Sequence, residues 1–186
     1  MKKAGLAVLA AAMLLAPGRA AEESEAALAE RALAISVERD DAHIVAASWN
    51  GRPFLFVDYL KDAERELVAL EKTANGYRRV VVTAGEEEGG TPDIAIGFAN
   101  ADSDPAKELI VLLAWPQVHL DVGGTLYEVR IFDDLHAGQT KLAYLPGVSH
   151  RFEGHNCDCA WDDGRIDRYP FKTIAGIKAK LRKMGF

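Results

Sequence analysis

The segment GHNCDCAW, residues 154–161, holds the only two cysteines of the chain, Cys157 and Cys159, with His155 two positions before the first. These are the residue types that hold soft metals or exchange electrons. In an extended strand all three side chains face one way. At ~3.3 Å per residue, however, His155 and Cys159 stand roughly 13 Å apart, too far to share one ion. Only a turned conformation could close them around zinc or copper, with His150 or a water as the fourth ligand. A disulfide between Cys157 and Cys159 asks less. Across one intervening residue the Cα atoms lie ~6–7 Å apart, at the outer edge of disulfide geometry, and an oxidising compartment favours the bond. The spacing is not the C-x-x-C of thiol-exchange proteins, although a strained, exposed pair can serve as a redox switch. The expectation is a local disulfide. A metal site built on His150, His155, Cys157 and Cys159, or a thiol-redox role, is the alternative.

Oxygen ligands gather elsewhere. In NADSDPAKELIV, Asn100, Asp102, Asp104 and Glu108 stand directly before an apolar run. Counted as a calcium loop from Asn100, ligand types occupy positions one, three, five and nine. The sixth position, where such loops turn on glycine, is Pro105, and the twelfth, where a bidentate glutamate belongs, is Val111. Here the chain resembles the FG-GAP type of β-repeat, in which an acidic D-x-D loop leads into an E-L-I-V strand. The resemblance covers this one loop and its surroundings, and it implies a β-repeat whose loop binds calcium. The alternative is a solvated acidic turn capped by Asp102 and Asp104. Asp133 and Asp134 with His136 form a further acidic group, read as a turn after a strand.

Other chemistry is sparse. The chain carries no G-x-S-x-G elbow, no H-E-x-x-H pair and no phosphate-cradling glycine loop. Ser149 and His150 are neighbours in sequence only. His43 and His119 flank apolar strands and read as packed or edge histidines, and Trp49 and Trp115 read as core. Together these features predict a binding protein that catalyses nothing.

The ends and the charge bound where it works. Lys2 and Lys3, the uncharged apolar run from Ala4 to Ala16, and the small residues before Ala20 form the three-part layout of a secretory signal peptide, too short to span a bilayer. Cleavage after Ala20 leaves residues 21–186 as a single exported, periplasmic domain. That domain has 19 Lys and Arg against 28 Asp and Glu, a net charge of −9. Such a field disfavours nucleic acid and anionic lipid and suits a basic protein or peptide partner.

The elements that must position these residues are mostly strands. Apolar runs at 43–49, 54–60, 64–72, 77–83, 93–99, 108–115, 125–132 and 141–145 are parted by turn residues, with hairpin signals at Asn50-Gly51 and Asn75-Gly76. Residues 62–72 also fit a helical face. Gly85 to Pro92 reads as a polar loop. Residues 21–38 and 171–186 carry apolar residues at helical spacing. Ile44–Asn50 aligns with Ile94–Asn100, and Tyr77–Val82 with Tyr127–Phe132, both at an offset of 50. The expectation is an α+β fold, mainly antiparallel β. Two meander units form one sheet or a sandwich, with a short N-terminal helix and a C-terminal helix.

Overall fold

The computed structural model describes residues 23–61, 64–86, 92–153 and 156–186. The segment expected to be a signal peptide, most of the Gly85–Pro92 stretch expected to be a loop, and His155 lie outside them. Two antiparallel four-stranded meanders make up the fold. Strands β1 (His43–Trp49), β2 (Arg52–Lys61), β3 (Glu64–Thr73) and β4 (Gly76–Glu86) form the first sheet in that order. Strands β5 (Asp93–Ala99), β6 (Glu108–Val118), β7 (Val122–Phe132) and β8 (Cys157–Trp161) form the second. Residues 64–73 are strand, so the helical alternative for that stretch is set aside. The two central residues of the β1–β2 turn, Asn50 at φ 47° and Gly51 at φ 77°, have the positive φ values that a tight two-residue hairpin needs.

The sheets pack face to face. Phe54, Phe56, Leu67, Ala69, Val80 and Val82 of the first meet Leu109, Val111, Leu113 and Trp115 of the second, with Trp49 among them. The alternate residues of the same strands point outward, where helices cover them. Helix α1 (Glu25–Leu33), capped by the Ser24 hydroxyl accepting from Ala27 N at 3.2 Å, sets the fully buried Ala29 against Leu55, Val57 and Tyr59. Helix α3 (Ile174–Met184), capped by Thr173, sets Ile177 and Leu181 over Ile110, Leu112 and Val129 of the second sheet. A side chain at Gly97 of β5 would collide with Ile174, so this glycine lets α3 lie close. Buried on both faces, the central strands read as unbroken apolar strings such as ELIVLLAW. Among the described residues, no helix is long and apolar enough to cross a membrane.

Two expectations change. Residues 141–145 do not form a strand of either sheet. Val81 N of β4 donates to Thr140 O at 2.9 Å, and Leu142 N donates to Val81 O at 2.9 Å. Asp133 N then donates to Ala143 O at 2.8 Å, and Leu145 N to Ile131 O at 2.8 Å. The segment crosses from one sheet to the other, sharing its bonds between them, and so can run along neither. The fourth strand of the second sheet is instead Cys157–Trp161. The internal echo is also only half structural. Its first match pairs β1 with β5, each the first strand of its meander. Its second pairs β4 with β7, which hold different places, so that similarity is generic strand grammar.

Candidate functional site

Two loops meet at one end of the sandwich. The first, residues 100–107, joins β5 to β6 and turns on its own carboxylates. Asp102 Oδ1 accepts from Asp104 N at 2.8 Å, and Asp104 Oδ1 accepts from Ala106 N at 2.7 Å. The second, residues 133–136, leaves β7. Leu135 anchors it in the inter-sheet core, and Asp133 Oδ1 accepts from Asp134 N at 3.0 Å.

The β1–β2 hairpin of the opposite sheet holds both loops. Asn50 Oδ1 accepts from Lys107 N at 2.9 Å, and the Lys107 carbonyl accepts from Asn50 Nδ2 at 3.1 Å and from the Trp49 indole. The Arg52 guanidinium donates to Leu135 O at 3.0 Å. One turn therefore fixes both acidic loops against each other.

Register does the rest. Glu108 pairs with Ala99, and Leu109 pairs with Phe132. One step beyond that last pair, Glu108 and Asp133 come side by side. Carboxylate oxygens of Asp102, Glu108 and Asp133 lie within 4.8 Å of one another, and Asp133 shares a second such group with Asp134 and His136. The two acidic groups that looked separate in sequence are one cluster. Asp104 contributes charge to it, while its Oδ1 serves its own loop. Asn100 sits half-buried just after β5.

Glu108 is the focus of the cluster. Its side chain is fully enclosed, at 0% exposure. One oxygen accepts from Ala101 N, and the other, Oε1, is buried with no hydrogen-bond partner. Burial, reinforced by the charges of Asp102 and Asp104 and opposed by hydrogen bonds from Ala101 N and from its own backbone N, pushes this carboxyl up to about 7. Burial also raises Asp134, helped by Asp104 and Asp133 and opposed by His136 and Arg52. Its Oδ1 is likewise buried without a hydrogen bond and lies 3.8 Å from His136 Nδ1.

The cysteines lie on β8, side chains to one face, with their sulfurs in close contact as a disulfide. Their Cα atoms are 5.3 Å apart, nearer than an extended strand predicts. Gly124 of β7, at φ 153°, stands opposite Cys159, and a Cβ there would come 2.7 Å from Cys159 Cα and 3.0 Å from its sulfur. Gly124→Ala is therefore expected to cost about 1–3 kcal/mol of stability. Oxidised Gly124→Ala protein should show the loss in denaturant melts, and an unchanged midpoint would contradict it.

His150 lies in the 3-10 turn after helix α2 (Pro146–Ser149), exposed and 3.4 Å from Glu153. Among the described residues, neither cysteine joins a trio of histidine, cysteine or acidic side chains. The Ser149 hydroxyl is structural: it accepts from Ile131 N at 3.0 Å and donates to Leu145 O at 2.8 Å. Trp49 and Trp115 are core residues, while His43, which opens β1, and His119, which follows β6, are both exposed.

Fold and site together define a two-sheet antiparallel sandwich, faced by a helix on each side, with a carboxylate cluster at one end. No protein-family model, curated protein or solved structure matches the chain.

Proposed function

We propose that the mature chain works outside the cytoplasm as a non-catalytic binding protein, and that its carboxylate end takes a positively charged ligand. The observation that supports this most is the orphaned Glu108 oxygen. A buried polar atom without a partner costs about 1–3 kcal/mol, and the gathered charges of Asp102, Asp104, Asp133 and Asp134 add to that cost. A cation would relieve both. The depth of Glu108 suits a group that is neutralised by a ligand rather than one that reaches a substrate bond. The competing thiol reading has its two sulfurs already engaged with each other. The signal-like layout of residues 1–20 supports export.

The test is equilibrium binding at low salt of the mature protein to divalent cations, spermidine and an oligolysine, with citrate and phosphate as anionic controls. At least one cation should bind saturably, and the Asp102→Asn/Asp133→Asn double variant should lose it. Failure of every cation to bind would contradict the reading.

A further inference from the structure

We propose that the carboxylates of Asp102, Glu108 and Asp133 bind a single calcium ion, an assignment that rests on the binding reading above and names its ligand. The donor set is entirely oxygen, which selects hard dications. Its reach also fits. The three oxygens lie within 4.8 Å of one another, and two oxygens bound to one calcium at about 2.3–2.6 Å stand no more than ~5 Å apart. Glu108 then supplies what an acidic patch alone lacks. Its buried Oε1 has no partner in the protein, and its other oxygen is pinned by Ala101 N, so the carboxylate is fixed with one oxygen awaiting a ligand.

Other occupants fit less well. Zinc or manganese would draw on His136, which groups with Asp133 and Asp134, but that arrangement leaves the Glu108 oxygen unanswered. Magnesium demands near-ideal octahedral geometry and keeps its waters, whereas two of these three carboxylates come from loops. A basic chain would meet like charge. The groove of about 820 Å³ that borders Asp102 is also lined by Arg151 and Lys180. Nor is this the single-loop cage that the FG-GAP resemblance implies, because Asp133 comes from a different strand end and Asp104 is not in the group whose oxygens converge.

The experiment uses the mature chain, stripped with chelator and titrated calorimetrically at pH 8 with calcium, magnesium, manganese and zinc chlorides. Thermal unfolding is followed in parallel. One calcium per chain is expected, with a Kd of about 10⁻⁵ to 10⁻³ M and binding at least about tenfold tighter than magnesium. At about 100 times Kd the melting temperature should rise by roughly 5–10 °C. Glu108→Gln and Asp133→Asn should each weaken calcium by about thirtyfold or more, since each removes one charged ligand. The exposed Asp93→Asn should leave binding unchanged. If one ligand variant fails to fold, the other decides.

The assignment is overturned if calcium produces no heat, or if its binding survives both ligand variants. It is also overturned if zinc or manganese binds more tightly and loses that binding in His136→Ala. Should calcium fail while spermidine or oligolysine binds and is lost in the Asp102→Asn/Asp133→Asn protein, the calcium assignment falls and the broader reading stands. If nothing binds, both fall.

Discussion

Arg65→Ala is expected to lower the unfolding free energy by about 3–5 kcal/mol, a large share of what a domain of this size has to lose. Arg65 shares a face of β3 with the inter-sheet core residues Leu67 and Ala69, and only 2% of its side chain is exposed. Its Nε and one terminal nitrogen hold both oxygens of Asp58 at 2.8 and 2.7 Å, and the other terminal nitrogen reaches Asp41 at 3.0 Å. His43 Nδ1 stands 3.0 Å away on the exposed side. Burial pushes the Asp58 carboxyl up, and the guanidinium pulls it back. Without Arg65 burial is opposed by His43 alone, so the folded state clings to a proton that the unfolded chain releases. Stability then falls as pH rises above the ordinary carboxylate range. The loss should therefore be greater at pH 8 than at pH 4, as denaturant melts at the two values will show. Replacing both partners, as in Arg65→Met/Asp58→Leu, should recover most of it, because no charge is then left buried alone. Equal losses at both pH values would contradict the account.

Glu108→Gln is expected to act in the opposite direction. With its carboxyl raised from the ordinary 4.5 to about 7, the folded protein holds a proton that the unfolded chain has lost between those values. Stability therefore declines as pH rises through that window, and the penalty is complete above about pH 7. At roughly 1.4 kcal/mol per unit, the cation-free protein at pH 8 carries on the order of 3–4 kcal/mol of strain from this one group. Glutamine keeps the shape and never ionises. Its carbonyl can accept from Ala101 N while its amide donates toward Asp102 and Asp133. The variant should be more stable than the parent by about 1–3 kcal/mol at pH 8 without cation, and nearly equal to it at pH 5. Added calcium should stabilise the parent and leave the variant where it was. A variant less stable than the parent at pH 8 would show that Glu108 serves the fold rather than a ligand.

Local chemistry explains which features are legible in the sequence. Asn50-Gly51 marks its hairpin because few other pairs accept positive φ at both turn positions. Residues 21–38 and 171–186 show their helices by apolar spacing, and the stripe of residues 174–184 reads directly as the face that α3 buries. Trp49 and Trp115 occupy the core as their strands imply. Residues 141–145 have strand composition but divide their hydrogen bonds between two sheets, and composition carries no record of that. The site shows the same limit. Asp102, Asp104 and Glu108 are visible as one acidic loop, and Asp133, Asp134 and His136 as another. That they are a single cluster depends on the β6–β7 register that sets Leu109 against Phe132. Register is a long-range property, set by which apolar faces meet between the sheets. Arg52 and Asn50, which tie the loops together, look like ordinary turn residues until the opposite sheet is in place.

The most direct measurement is long-wavelength anomalous diffraction from crystals of residues 21–186 grown with millimolar calcium at pH 8. The account predicts one calcium peak at about 2.3–2.6 Å from carboxylate oxygens of Asp102, Glu108 and Asp133, with Glu108 Oε1 among its ligands. No peak there, with Glu108 Oε1 instead hydrogen-bonded to another protein group, would contradict it.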